Sequence, residues 1–381
     1  MRTLQIGDFW FSEEQGGLSR YYYELLNHLP ATGVESRGLV VGTPAVEAAS
    51  AGRVSPFSAP EDGILTRMRA VRRAAQQQIA SYHPDLLVSH FAIYAAPLAD
   101  LLARNPNVVH FHGPWAGESG VEGARSVAFH LKATLERLVY GRGTRLIVLS
   151  DAFRQELMHG YGVPFERIRI VPGGVDTELF NVTMSRATAR EYLGWPQDRP
   201  ILLTVRRQVR RMGLENLIDA TAEIAKRVPD VLVLLAGSGL LASELRQRIQ
   251  DRGLENHVRL LGRVPDADLP TIYRGADLTV VPTVALEGFG LITLESLASG
   301  TPVYVTPVGG LPEVVRPFDS GCVFEDSSVE AIASHLIAVL TGASRMPTES
   351  GCRSYAADHF AWPHIAERIR DVYVEALSAK R

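Results

Sequence analysis

The segment Glu287-Gly-Phe-Gly-Leu-Ile-Thr-Leu-Glu295 sets two carboxylates eight positions apart around two glycines. Gly288 and Gly290 let backbone come close to a ligand. Leu291 to Ala298 reads as a helix whose first N–H groups could face an anion. Glu295 would sit about a turn inside it, able to accept hydrogen bonds from ribose hydroxyls. Glu287 would stand at the mouth, suited to sugar hydroxyls. Isolated glutamates are usually solvated. The glycines, and the position just after a strand, favour a ligand here.

A second group is Arg206-Arg207-Gln-Val-Arg210-Arg211-Met212-Gly213. Four arginines directly after a strand concentrate positive charge at one edge. Arg207 and Arg211 would converge if the turn between them were helical. Arginine can clamp a diphosphate bidentately. The competing readings are a solvated basic turn or a nucleic-acid patch. No aromatic residue is interleaved, which weakens the latter. A third group is Val108-Val-His110-Phe-His112. Strand alternation puts both histidines on one face. His112 is nearer the strand end and is the better substrate contact. Two histidines without a third ligand at the right spacing make a weak metal site.

Weaker motifs read as structure. Gly237-Ser-Gly239 lacks the third glycine of a dinucleotide fingerprint, and the first strand lacks the motif altogether. Asp266-Ala-Asp268 has metal-nucleotide spacing but precedes a helix, so helix capping is expected. Ile64, Met68, Val71, Ala75 and Ile79 form a helical stripe beside Arg67, Arg69, Arg72 and Arg73. Packing on its own domain is the first reading of that stripe, and contact with an anionic membrane the second.

Composition bounds these readings. The chain has 381 residues, 46% hydrophobic and 21% charged, which suits a soluble protein of two or three domains. Thirty-nine basic residues against 42 acidic give a net charge of −3. That balance argues against a global grip on nucleic acid. Cys322 and Cys352 are too few for a disulfide framework or a structural zinc site. The N-terminus meets Asp8 before a signal-peptide core could form, and no apolar run nears the ~20 residues that span a bilayer. A cytoplasmic location is expected.

The elements that must position these residues alternate. Leu4–Gly7, Leu86–Ser89, Val108–His112 and Leu146–Leu149 read as strands, with Ser150 as a helix N-cap. Ile201–Val205, Val231–Ala236, Val258–Leu260, Leu278–Val281 and Val303–Val305 repeat the pattern. Near-continuous apolar runs suit parallel strands covered on both faces. Two doubly wound α/β domains are expected, at 1–172 and 173–362, with a terminal helix in 363–381. Ligands bind beyond the carboxyl ends of such strands. Gly16-Gly17, His112, Arg206-Arg207, Gly237, Glu287 and Thr306–Gly310 all fall there. Two such domains facing each other would form a cleft.

At these residues the sequence resembles the retaining glycosyltransferases of the GT-B fold, in the large glycogen-synthase-like and mannosyltransferase-like group. Glu287 to Glu295 matches the family's E-x7-E motif, followed by Ala298-Ser-Gly300-Thr-Pro302 and Gly309-Gly310-Leu-Pro-Glu313. Gly16-Gly17-Leu-Ser-Arg20 resembles the N-terminal glycine loop, and Gly173-Gly174-Val175-Asp176 the interdomain segment, with Gly173 for the usual Asn. Arg263-Val264-Pro265 resembles the loop that holds the base. The resemblance implies two Rossmann-like domains, a nucleotide sugar on the C-terminal one and an acceptor mainly on the N-terminal one.

It further implies that Glu287 contacts the donor sugar and Glu295 the ribose. Gly16, Gly17, Gly237, Arg263, Val264, Gly288, Phe289, Gly290 and Leu291 would line the donor. His112 matches the family histidine near the sugar. The family pairs an arginine with a lysine five residues later on the diphosphate. Arg207 fits the first, but Met212 holds the lysine position, so Arg211 is expected to supply that charge, with Arg206 as a third. No metal or other cofactor is implied. The expected donor is a UDP-sugar, with GDP second. The expected acceptor is a saccharide or lipid-linked saccharide, with peripheral membrane contact for the latter. Three other readings share the architecture. A nucleotide-sugar epimerase would need no acceptor. A phosphorylase would need a pyridoxal phosphate lysine, and neither Lys226 nor Lys380 sits in a suitable loop. A non-catalytic nucleotide-sugar-binding module would leave the intact glutamates and arginines unexplained.

Overall fold

The computed structural model describes residues 1–14, 16–114, 117 and 127–379, with the backbone alone for 127–129. Lys380 lies outside them. The chain divides into two compact units. One comprises Met1–Gly174 together with Trp362–Arg381, the other Val175–Ala361. The expected boundaries stood at 172/173 and 362/363.

The first unit is built on seven strands: β1 Arg2–Phe9, β2 Glu35–Val41, β3 Val54–Ser58, β4 Leu86–Ser89, β5 Asn107–Phe111, β6 Arg145–Val148 and β7 Ile168–Ile170. They run in the order β3-β2-β1-β4-β5-β6-β7, all parallel. Their apolar runs are covered on both faces, as Leu4, Ile6, Val88 and Val148 at 0% exposure illustrate. β2 and β3 are absent from the apolar runs of the sequence. β3 carries Pro56, which a sheet tolerates at its edge, where β3 lies.

Local chemistry sets the helices. Ser150 accepts from the Phe153 N–H and starts the helix Asp151–Tyr161 as expected. The helix Ile64–Tyr82 buries Val71 and Ala75 in the core, with Ile79 packed against it. Arg67 donates to Tyr94 Oη and Arg72 pairs with Asp100, so half the basic stripe is tied into its own unit. The terminal helix, Trp362–Ser378, buries Ile365, Ile369 and Tyr373 within this same unit. Its Glu375 pairs with Arg145 at 2.9 Å and with Arg169.

The second unit has five parallel strands: β8 Ile201–Val205, β9 Leu232–Ala236, β10 Val258–Gly262, β11 Leu278–Val281 and β12 Val303–Val305. Their order is β10-β9-β8-β11-β12. Every residue of β9 is buried, the signature of a strand covered on both sides. The stretch expected as a join holds two short helices, Thr177–Phe180 and Arg186–Leu193. Asp176 caps the first by accepting from Glu178 and Leu179. One expectation is corrected here. Asp266–Asp268 forms a 3-10 turn, and the Asp268 side chain makes no capping bond to the following helix. Pro270 removes one of the donors such a cap would serve.

Candidate functional site

In the second unit the strand ends supply the chemistry. The loop after β11 carries Glu287, whose carboxylate pairs with Arg206 Nη2 from the end of β8. The two side chains are 8% and 12% exposed, so the pair is largely desolvated. Arg206 Nη2 also donates to Thr283 Oγ1 at 2.6 Å. The Arg206 Nε is buried and has no partner among the described residues.

Arg211 is 6% exposed and donates to the Leu286 carbonyl at 2.9 Å. Its own carbonyl accepts from the Val284 N–H at 2.9 Å. Leu286 is held at φ +51°, a left-handed conformation uncommon for leucine. Arg211 thus braces the strained loop that presents Glu287. The helical turn here spans only Arg210–Met212, and Arg207 lies outside it, exposed at the end of β8. The expected helical convergence of Arg207 and Arg211 does not occur. Met212, in the usual lysine position, is 3% exposed and packs into the core.

The loop after β12 closes on the same segment. Gly309 sits at φ +56°, and a Cβ there would lie 1.8 Å from the Glu287 carbonyl oxygen. The Gly310 N–H donates to that oxygen at 3.0 Å. The glycine pair therefore fixes the Glu287 backbone while Arg206 fixes its carboxylate.

The helix Leu291–Ala298 begins at Gly290 with no side-chain cap, which leaves first-turn N–H groups for a ligand. Glu295 is 6% exposed and accepts from Tyr273 Oη at 2.9 Å. Leu291 is half-buried at the start of the helix. Gly288 and Phe289 are buried, and the Phe289 ring packs edge-on to Phe360 at 6.1 Å. The ring of Phe289 thus belongs to the core, leaving its backbone for a donor. Gly237 follows β9, its Cβ position 1.9 Å from the Arg206 carbonyl. Arg263 is exposed and Val264 half-buried after β10.

In the first unit, Gly16 and Gly17 are exposed at the start of the helix Gly17–His28. His110 and His112 share a face of the β5 end, as alternation requires. The structure adds His90, just after β4, which no local motif marks out. The three histidines place ligand-type nitrogens within 4.8 Å of one another. The expectation of only two histidines is corrected, yet a metal does not fit the rings as they lie. His90 and His110 stack with centroids 4.3 Å apart and planes at 20°. Imidazole lone pairs lie in the ring plane, and those of two rings stacked this closely run nearly parallel rather than converging on one ion. Both His110 nitrogens face tyrosine hydroxyls, Tyr21 at 3.2 Å and Tyr373 at 3.0 Å. Burial, then the neighbouring histidines, holds His90 and His110 well below the ordinary histidine range. Burial lowers His112 as well.

Asp8, near the end of β1, is a further residue that motif reading passed over. Its carboxyl is raised to about 7, chiefly by burial and then by Glu14, with Arg67 opposing both. Between pH 3.8 and about 7 the folded protein holds a proton that the unfolded chain has released. Stability therefore falls as pH rises through that window, and the full cost stands above it. Asp8→Asn should gain stability over wild type progressively from about pH 4 to about pH 7, read as urea midpoints. A gap that does not change with pH would refute this.

Comparison with known proteins places these features. Residues 185–358 match the family described as Glycosyl transferases group 1, and residues 15–179 match Glycosyltransferase Family 4. A D-inositol 3-phosphate glycosyltransferase of Kineococcus radiotolerans is 30% identical over 96% of this chain and 91% of its own length. The corresponding protein of Corynebacterium aurimucosum is 32% identical over 61% of this chain, a match that spans 57% of that relative. Among solved structures, sucrose-phosphate synthase from Thermosynechococcus elongatus superposes with a TM-score of 0.81 at 23% identity, covering 100% of both chains. Anabaena HepE in complex with UDP-glucose superposes with a TM-score of 0.78 at 22% identity, over 98% of this chain and 100% of its own.

Proposed function

Because the chain belongs to the group 1 glycosyltransferases and has their GT-B fold, we propose that it moves a sugar from a UDP-sugar to a hydroxyl of a saccharide or lipid-linked saccharide, with retention at the anomeric carbon and no metal. The observation that carries this reading is the joining of three strand-end loops at Glu287. Arg206 from β8 grips its carboxylate, and the loop after β12 grips its carbonyl. A carboxylate held twice over suits the fixed hydroxyl pattern of a sugar.

Glu295, set on the Tyr273 hydroxyl, is the ribose contact in this reading. Arg207, with the Arg211 charge behind it and the N–H groups of the helix Leu291–Ala298, receives the diphosphate. Charge builds on the β-phosphate as the glycosidic bond breaks, and preorganised donors stabilise it. The acceptor attacks on the face the phosphate leaves, and the departing phosphate takes its proton. UDP is the nucleotide proposed, as HepE holds it on the same fold. A phosphorylated cyclitol is a second acceptor reading, favoured by the relative from Kineococcus radiotolerans. For a lipid-linked acceptor, membrane contact is assigned to the start of the helix Ile64–Tyr82, where Ile64 and Leu65 are 44% and 66% exposed beside Arg69. Among the described residues no helix is long and apolar enough to cross a membrane.

Thermal unfolding with UDP, GDP, ADP and CMP tests the donor. At 100 times its dissociation constant a ligand adds ~2.7 kcal/mol. UDP should raise the midpoint of wild type and much less that of Glu295→Ala. UDP release from UDP-sugars should then require acceptor, with saccharides and inositol phosphates both offered. No stabilisation by any nucleoside diphosphate, in folded protein, would sink the proposal.

A further inference from the structure

The histidine cluster of the first unit forms a directed hydrogen-bond chain. His112 Nε2 meets His90 Nδ1 at 3.4 Å, and His90 Nε2 meets Gln5 Oε1 at 2.9 Å. The Gln5 amide nitrogen faces two hydroxyls, Thr3 Oγ1 at 3.0 Å and Tyr373 Oη at 3.4 Å. Gln5, at 0% exposure, thus turns its carbonyl oxygen to His90. That oxygen can only accept, so His90 Nε2 must carry the proton. A neutral His90 then has a bare Nδ1, which can only accept from His112. His112 Nε2 must therefore hold its proton, and His112 Nδ1 is left with a lone pair. No hydrogen bond reaches that Nδ1 among the described residues.

We propose that Gln5 and His90 are positioning residues that lock His112 in its Nε2–H tautomer, so that Nδ1 is offered as a hydrogen-bond acceptor to a hydroxyl of the transferred sugar. This rests on the reading of His112 as a sugar contact. The surroundings suit a fixed neutral ring. Tyr21 packs edge-on to His112 at 4.8 Å, and Tyr22 edge-on to His90 at 4.9 Å. His110, Tyr373 and the Trp362 ring complete the wall around Tyr21 and His90, and none of them carries a charge at neutral pH. Among the described residues no anion faces the hydrogen-bond chain, so none of them recruits a second proton to it. An acceptor at this point discriminates among sugars, because a sugar that turns a lone pair or an axial hydrogen to Nδ1 leaves it unpaired.

Long-range proton–nitrogen correlation spectra of the full-length protein with labelled histidine read the tautomer directly. The His112 signal is identified by its loss in His112→Asn. Wild type should show a protonated Nε2 and a bare Nδ1 at neutral pH. His90→Phe removes the acceptor and should turn the signal into a tautomer mixture. His90→Asn returns an amide oxygen near the former Nδ1 and should restore it. The KM for nucleotide sugar should rise about tenfold in His90→Phe and recover in His90→Asn, with UDP affinity unchanged. An Nδ1–H His112 in wild type overturns the lock without any variant needing to fold. An Nε2–H state untouched by His90→Phe overturns it too. If the lock holds but His112→Ala leaves the donor KM unchanged, the sugar contact is overturned, and the family's activity stands.

Discussion

Arg207→Ala should lower kcat by about 100- to 1000-fold, a loss of ~2.7–4 kcal/mol in transition-state stabilisation. The leaving group is a nucleoside diphosphate, and its new charge falls on the β-phosphate. Arg207 stands exposed at the end of β8, where a diphosphate would lie against it. Met212 offers no charge where the family usually places a lysine, and Arg211 spends one donor on the Leu286 carbonyl. The electrostatic burden is therefore concentrated on Arg207. Because that side chain is exposed, its loss should leave the unfolding midpoint within a degree or two, by the usual scale of surface substitutions. Steady-state kinetics beside calorimetry checks both halves. Turnover within about threefold of wild type would refute the assignment, since that is under 1 kcal/mol.

Arg206→Leu carries the opposite signature. Removing one member of a desolvated pair strands the other, typically at ~3–5 kcal/mol. Here the stranded group is Glu287, 12% exposed and fixed by its backbone to Gly310. The variant should unfold earlier and also lose transfer, because the carboxylate no longer has a set direction. Adding Glu287→Gln removes the buried charge and should return most of the stability, while transfer stays low. A double-mutant cycle measures the coupling. If stability and activity both return, Glu287 has no part in sugar recognition. If Arg206→Leu alone is neutral, the pair is looser than its burial implies.

The contrast between these arginines marks where sequence reading ends. Both stand in one run after one strand, and charge spacing alone treats them alike. Which one faces Glu287 depends on the twist between β8 and β11, at a sequence separation of 81 between the partners. The Glu287–Glu295 segment was legible because its glycines, helix and carboxylates are local. So were Ser150 and the apolar runs of β9 and β11. His90 was not, because a histidine after a four-residue strand has no local signature. It gains meaning only beside β5 and Gln5. β3 was hidden by Pro56, whose edge position is a property of the sheet. Asp8 looks like any acid near a turn until its desolvation is known.

The first unit is closed by a segment made only after the whole second unit. Trp362 lies against Gly174, with a ring atom 2.5 Å from where a Cβ would stand, and Tyr373 bonds to His110. Neither partner exists while the ribosome is making the intervening residues. At about 5–20 residues per second, translating the roughly 190 residues between Gly174 and Trp362 takes about 10–40 s. During that interval the nascent first unit waits with Arg145, Arg169 and His110 uncovered. The second unit is contiguous and can finish first. Order of birth and order of completion are thus reversed in this chain. Synthesis rate and chaperone access over that interval become determinants of yield that the folded protein does not reveal.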